Sequence, residues 1–195
     1  MSDKNVVLAI CGKSATGKSM LRKELGKFCT IVKTYTTRPP RDEVEMEEGD
    51  YKFIPGDEFL NHIGKSLRFV RQFNGWMYGV NINDIERIHV RPLVMVLDPT
   101  GIKKLAESGI CEIYPIYVTC DLFARWTRYR GRTDGKLTLE QVRRFVCDHR
   151  DFKGIVPKLE SWTGHKCLIL RSERIDYMRR KVELYLSRLG LEVAT

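Results

Sequence analysis

The stretch that decides the fold is VVLAICGKSATGKS at residues 6–19. Its first part, Val6–Ile10, is a run of mostly branched apolar residues with the length of a buried strand. Its second part, Gly12–Ser19, fits the pattern G-x-x-x-x-G-K-[ST], which joins a strand to a helix through a glycine-rich turn. In such a turn, backbone N–H groups and the helix N-terminus converge on an anion. The stretch therefore predicts a strand, a phosphate-binding loop and a helix, in that order.

The loop also predicts what it binds. Lys18 is expected to reach the β and γ oxygens of a nucleoside triphosphate, and Ser19 to offer its hydroxyl to Mg²⁺. The predicted cofactors are therefore ATP and Mg²⁺, with Ser19 as the metal ligand. The predicted cofactor-binding residues are the eight of the loop: Gly12, Lys13, Ser14, Ala15, Thr16, Gly17, Lys18 and Ser19.

Outward from the loop, short apolar runs alternate with helical patterns. The apolar runs are Val6–Ile10, Thr30–Val32, Leu93–Leu97, Ile113–Val118 and Cys167–Leu170. The helical spacings cover Ser19–Phe28, Ile102–Ser108, Asp121–Arg130, Leu139–Phe152 and Ile175–Leu189. Strand–helix alternation of this kind predicts an α/β fold, with a parallel sheet covered by helices on both faces.

Two stretches break the alternation. Residues 35–92 are rich in proline, glycine and charge and carry short alternating patterns, which predicts a small excursion with antiparallel strands between two core strands. Residues 130–136, RGRTDGK, form a basic loop between two helical patterns. A loop of this kind next to a phosphate site is typical of a mobile lid.

Composition limits the classes of protein that fit. A chain of 195 residues with 43% hydrophobic and 30% charged residues predicts one folded domain, and no apolar run approaches the ~20 residues of a membrane-spanning helix. The N-terminus lacks the pattern of a signal peptide, and the six cysteines show no paired spacing, so we expect a cytoplasmic protein without disulfides. The net charge of +9 favours an anionic partner.

A second anion site is predicted by TTRPPR at 36–41 and GDYKF at 49–53. Arg38 and Arg41 are three residues apart and are stiffened by two prolines, so they form a guanidinium fork suited to bidentate contact with a phosphate. Tyr51 is placed to donate a third hydrogen bond. Because this string follows a phosphate-binding loop and a strand, we expect the second phosphate site to face the first.

At this point the sequence resembles the guanylate kinase family of P-loop nucleoside monophosphate kinases, over about residues 5–185. The matching pieces are GKSATGKS at 12–19, TTRPPR at 36–41, GDYKF at 49–53, NGWMYG at 74–79 and DPTG at 98–101, with RGR at 130–132 and RRF at 143–145 as lid arginines. The resemblance implies a three-layer P-loop NTPase fold with a five-stranded parallel sheet, as a single domain over 1–195. Its core would comprise 1–35 and 91–195, its acceptor-binding subdomain 36–90, and its lid about 125–150.

The resemblance also implies an activity: transfer of the ATP γ-phosphoryl group to GMP or dGMP, or to another small phosphorylated acceptor. The implied partners include no nucleic acid and no membrane, and the protein would be a monomer or a dimer. The predicted catalytic residues are Lys18, Arg38, Asp98, Arg132, Arg143 and Arg144. The predicted acceptor-binding residues are Thr34, Arg38, Arg41, Tyr51, Arg71, Tyr78 and Asp98.

Departures from the family pattern leave the acceptor open. Arg71 stands where the family has a glutamate that accepts hydrogen bonds from guanine, and arginine is a donor only, suited instead to guanine O6 and N7. An alternative is that one of the glutamates at Glu43, Glu45, Glu47 and Glu48 folds over to the base. Val80 replaces an expected hydroxyl, and Arg171-Ser172 replaces an Asn-Asp pair. Two alternatives therefore remain. One is a kinase of the same fold that acts on another nucleoside monophosphate or on a sugar phosphate such as ribose bisphosphate. The other is an inactive kinase-like protein-interaction module, which the intact Lys18 and Ser19 disfavour.

Overall fold

The computed structural model describes residues 4–73, 75–87, 91–131, 147–172 and 174–191. The strands in this part of the chain are β1 (Val6–Cys11), β2 (Thr30–Ile31), β3 (Thr34–Thr36), β4 (Tyr51–Phe53), β5 (Leu67–Phe73), β6 (Trp76–Asn81), β7 (Leu93–Val96), β8 (Glu112–Thr119) and β9 (Leu168–Arg171). The helices are α1 (Lys18–Leu25), α2 (Glu43–Glu48), α3 (Gly56–His62), α4 (Asn83–Glu86), α5 (Pro99–Ser108), α6 (Leu122–Gly131), α7 (Ile155–Thr163) and α8 (Ile175–Arg188). Residues 147–151 are also helical.

The main sheet has five strands in the order β2-β7-β1-β8-β9, and every neighbouring pair is parallel. Each of the five apolar runs in the sequence forms one of these strands, so the predicted α/β fold with a five-stranded parallel sheet is confirmed. The central strand β1 is inaccessible to solvent from Val7 to Cys11. A strand buried on both faces needs an unbroken apolar sequence, which is the pattern of this run.

Helices cover both faces of this sheet. Alternate residues of β1 point to opposite faces, so Leu8 and Ala9 belong to different cores. Leu8 packs in a core that also contains residues of α1 and α8, including Leu21 and Val182. Ala9 packs in a core with residues of α5 and α7, including Leu159. The molecule therefore has a helix–sheet–helix arrangement of three layers.

The second sheet lies in the stretch where the alternation stops. Its order is β4-β3-β6-β5, and a small core of Ile54, Phe59 and Leu67 packs against it. The predicted antiparallel excursion is correct for β3–β6 and β5–β6, whereas β3 and β4 are parallel. Parallel pairing is possible here because the connection through α2 returns the chain to the edge of the sheet at which β3 begins, so that β4 runs in the same direction.

Some helices differ from the sequence prediction, and α2, α3 and α4 have no predicted counterpart. Helix α5 begins at Pro99 rather than Ile102, because the side chain of Asp98 accepts hydrogen bonds from the N–H groups of Thr100 and Gly101 and so caps the helix. Helix α7 has no predicted counterpart; its Pro157 lies in the first turn, where a missing N–H costs no helical hydrogen bond. In the described ranges, no helix is long and apolar enough to cross a membrane.

Candidate active site

The loop between β1 and α1 is held in its shape by two glycines. Gly12 has a φ of 151°, and a Cβ atom there would lie 2.2 Å from the carbonyl oxygen of Val118. Gly17, at the start of α1, has a φ of 92°. A side chain is therefore excluded at Gly12 by strand β8 and disfavoured at Gly17 by backbone strain. These are the positions that the motif requires to be glycine.

Lys18 folds back over this loop. Its Nζ donates a hydrogen bond to the carbonyl oxygen of Lys13 at 2.8 Å, and the hydroxyl of Thr16 donates to the same oxygen at 2.8 Å. The ammonium group thus lies beside the loop whose N–H groups are expected to hold a phosphate. A cation, a helix N-terminus and a glycine-rich turn together suit a polyphosphate.

Ser19 is linked to the second half of the site. Its hydroxyl donates to Asp50 Oδ2 at 2.6 Å, while Asp50 Oδ1 lies 2.6 Å from Nε of the buried Arg22. A hydroxyl and a carboxylate, both hard oxygen ligands, therefore lie side by side next to the loop, which fits the preference of Mg²⁺. Sequence reasoning named Ser19 and missed Asp50, although Asp50 directly precedes Tyr51 in the GDYKF string.

A buried ion pair fixes the outer side of the loop. Asp148 accepts a hydrogen bond from the N–H of Ser14 at 2.7 Å and forms an ion pair with Arg125, whose Nε donates to the carbonyl oxygen of Ser14 at 2.9 Å. Arg125 is only 2% exposed. The sequence hides this role, since on α6 the apolar Phe123 is exposed while the arginine is buried.

The arginine fork contacts a carboxylate of its own chain. Arg38 makes a bidentate ion pair with Glu45 on α2, and Arg41 contacts the same carboxylate through its backbone N–H at 2.8 Å and its Nη1 at 3.6 Å. Burial alone would raise the pKa of Glu45, but the hydrogen bonds from Arg38 and Arg41 outweigh it and lower this pKa. Sequence reasoning named Glu45 only as one of four glutamates that could fold over the acceptor base, whereas the structure pairs it with the arginine fork.

Aromatic rings connect the fork to Arg71. The guanidinium of Arg38 lies 5.5 Å from the ring centroid of Tyr51, the rings of Tyr51 and Tyr78 are 5.7 Å apart, and the guanidinium of Arg71 lies 5.3 Å from the ring of Tyr78. Arg71 Nε also pairs with Asp98 Oδ2 at 3.2 Å. Four of the predicted acceptor-binding residues therefore form one continuous row of cations and phenol rings.

A cleft of about 470 Å³ brings the two halves together. From the loop it is lined by Gly12, Ser14 and Lys18, and from the acceptor side by Thr34, Tyr51, Arg71, Tyr78 and Asp98. Arg38 contacts the ring of Tyr51 but is not among the residues that line the cleft, and neither is Arg41, which is half exposed. The predicted lid residues Arg132, Arg143 and Arg144 lie outside the described residues.

This combination defines a class of protein, a phosphate-binding-loop fold with a row of cations and phenol rings across one cleft from the loop. The sequence model described as guanylate kinase matches residues 3–144. The chain therefore belongs to the guanylate kinase family. The fold agrees: the crystal structure of guanylate kinase from Anaplasma phagocytophilum superposes with a TM-score of 0.60 at 17% identity, covering 98% of this chain and 89% of that one.

The relatives are of two kinds. The guanylate kinase of Thermotoga maritima is 28% identical over 207 aligned residues, which cover 97% of each chain. Disks large homolog 3 of Homo sapiens is 32% identical over 96 residues, 47% of this chain. The alignments span only 10–17% of the length of the matched Disks large proteins. A guanylate-kinase-like region thus occurs both as a whole protein and as a small part of much longer ones.

Proposed function

We propose that this protein is a nucleoside monophosphate kinase that transfers the γ-phosphoryl group of ATP to GMP or dGMP. The single observation that carries the proposal is the cleft, in which Lys18 of the phosphate-binding loop and the acceptor-side Tyr51, Tyr78 and Asp98 line one cavity. A triphosphate at the loop and a monophosphate beside Arg38 would then lie within reach of each other. The overall resemblance to the Thermotoga guanylate kinase supports the same activity.

The residues divide the work between donor and acceptor. Lys18 and the loop N–H groups would hold the triphosphate, and Ser19 with Asp50 would hold Mg²⁺, which would supply positive charge to the phosphates when bound. Arg38, Tyr51 and Tyr78 would align the monophosphate. The acceptor phosphate is itself the nucleophile, so the protein needs to position and neutralise rather than to abstract a proton.

The proposed reaction needs cations at the cleft. Two anionic nucleotides that share one cleft repel each other, and neutralising side chains must offset that repulsion. Lys18 lines the described cleft, and the guanidinium of Arg38 contacts the ring of the cleft-lining Tyr51. We therefore assign these two cations to charge neutralisation in the proposed transfer.

The test is release of ADP in a coupled assay with ATP and each common monophosphate in turn. Transfer to GMP or dGMP is expected, and the variant Lys18→Ala should remove it. Transfer to a different monophosphate or to ribose bisphosphate would change the proposed acceptor, while the assignment as a kinase would stand. Absence of transfer to every acceptor would favour the protein-interaction alternative, for which the partial similarity to Disks large proteins is the relevant observation.

A further inference from the structure

A bulge in β5 decides which of its side chains face the cleft. Cross-strand pairing changes from Arg68 opposite Val80 to Arg71 opposite Tyr78, so that three steps on β5 match two on β6. Phe69 lies within the bulge with a φ of 56°, a conformation that residues with side chains rarely adopt. Because neighbouring residues of a strand point to opposite faces, the extra residue moves Arg71 onto the face occupied by Tyr78.

Arg71 is held in one orientation there. Its Nε pairs with Asp98 Oδ2 at 3.2 Å, and its guanidinium lies 5.3 Å from the ring of Tyr78. Asp98 is itself fixed, since its Oδ1 accepts hydrogen bonds from the N–H groups of Thr100 and Gly101 at 2.9 and 3.2 Å. A strained bulge and a fixed carboxylate therefore hold the planar guanidinium of Arg71 at the cleft.

The position of Arg71 relative to the phosphate side indicates which part of the acceptor it meets. Arg38, Tyr51, Tyr78 and Arg71 form a row in this order, so Arg71 lies two rings away from the fork that would hold the phosphate. Thr34 lines the same cleft, is 7% exposed, and its hydroxyl has no hydrogen-bond partner within the described part of the chain. A buried hydroxyl of this kind is paired when a polar ligand arrives.

We infer that Arg71 selects the base of the acceptor, and that it selects a 6-oxopurine through the O6 and N7 atoms. The inference rests on the proposed kinase function. A guanidinium donates five hydrogen bonds and accepts none, and O6 and N7 are adjacent acceptors that arginine contacts in a bidentate manner. Adenine presents an amino donor beside N7, and thymine presents O4 beside a methyl group, so neither offers a matching pair of acceptors.

This mode of selection makes a distinctive prediction about the substrate class. The O6 and N7 edge is the same in guanine and hypoxanthine, which differ only by the amino group at C2. Selection through Arg71 does not involve that group. The acceptor class is therefore 6-oxopurine monophosphates as a whole, with inosine monophosphate included.

A series of acceptors tests this with the unmodified protein. We expect kcat/KM for IMP to be within about threefold of that for GMP, because both retain the two acceptors. Replacing N7 by carbon, in 7-deaza-GMP, should lower kcat/KM about tenfold or more, and AMP should be lower than GMP by about 100-fold. Strong discrimination against IMP together with full activity on 7-deaza-GMP would overturn the inference.

A variant of Arg71 provides a second test of base selection. Glutamine pairs with the N6 and N7 atoms of adenine, so Arg71→Gln should raise the ratio of AMP to GMP activity by about 100-fold. The matched control is Arg68→Gln, the same change at an exposed position of the same strand before the bulge, which should leave the ratio unchanged. Equal losses for AMP and GMP in Arg71→Gln would indicate a phosphate contact and would overturn base selection.

The proposed kinase function and the role of Arg71 are overturned by different results. If GMP is phosphorylated but the values of kcat/KM for IMP, 7-deaza-GMP and AMP do not follow the expected order, the proposed kinase function stands and only the role of Arg71 is overturned. Transfer to none of the monophosphates would overturn the proposed function and the inference with it. The analogue series does not depend on a variant that folds, and melting temperatures of the two glutamine variants would reveal any loss of structure.

Discussion

Glu45 and Arg38 form a bidentate ion pair in which Nη2 lies 2.6 Å from Oε1 and Nη1 lies 3.1 Å from Oε2. The pair uses the terminal edge of the guanidinium, and the same carboxylate accepts the backbone N–H of Arg41. Arg38 is largely buried against the rings of Tyr51 and Phe53. Glu45 therefore sets the orientation of the fork before any acceptor binds.

Replacing Glu45 should weaken acceptor binding more than it slows transfer. In Glu45→Gln the fork loses its fixed orientation, so we expect the KM of the acceptor to rise about tenfold with a smaller change in kcat. The comparison is Glu47→Gln, at an exposed position of the same helix. Steady-state kinetics at varied acceptor concentration measure KM and kcat separately. A lower KM in Glu45→Gln would indicate instead that the carboxylate competes with the acceptor.

The same pair predicts a dependence of stability on pH. The pKa of Glu45 is lowered in the folded protein, so its contribution to stability is fully present above the pKa of the unfolded chain and is lost as the pH falls through the folded pKa. The difference in free energy of unfolding between the unmodified protein and Glu45→Gln should thus be constant near neutrality and shrink below pH 4.5. Urea titrations from pH 7 to pH 3 measure it; a difference that does not shrink over this range contradicts a lowered pKa for Glu45.

Lys18→Ala should abolish transfer without unfolding the protein. Loss of one preorganised charge contact to the reacting phosphates costs on the order of 10²- to 10³-fold in kcat. Lys23→Ala removes an exposed lysine from the same helix and serves as the control. Turnover by Lys18→Ala at near-normal rates would refute the assignment of the donor site, and circular dichroism would show whether both variants remain folded.

Gly12→Ala tests the close approach of the loop to β8. The new Cβ would lie 2.2 Å from Val118 O at a φ of 151°, so either the loop or the strand must move. We expect a loss of about 2–4 kcal/mol in the free energy of unfolding and weaker nucleotide binding. Gly56→Ala, where a Cβ meets no atom within 4 Å, should be nearly neutral. Equal melting curves for the two variants would argue against the packing described.

Asp148→Asn should destabilise the protein by about 3 kcal/mol, because it leaves the buried guanidinium of Arg125 without its carboxylate. Asp151→Asn, three residues further along and half exposed, should change stability by less than about 0.5 kcal/mol. Chemical denaturation measures both changes. The variant Arg125→Met in the Asp148→Asn background should recover part of the loss, and failure to do so would show that the two residues act independently.

Much of the fold could be predicted from local sequence. The run of Val6–Ile10, the loop that follows it and the five apolar runs each carry their pattern within a few consecutive residues, so strand, turn and helix could be assigned without any tertiary contact. The lysine and serine of the loop and the arginines and tyrosine of the acceptor strings could be named for the same reason. Whether a side chain donates or accepts hydrogen bonds is a property of that side chain and does not depend on its neighbours.

The partners of these residues were decided only by the tertiary structure. Ser19 meets Asp50 across 31 residues, and Ser14 meets Asp148 across 134, separations at which nothing in the local pattern indicates a contact. The orientation of Arg71 depends on one extra residue in β5, since a shift by one position reverses the face of every side chain that follows. Sequence thus determined which chemical groups are present and in which elements, while packing and register determined which of them meet in the cleft.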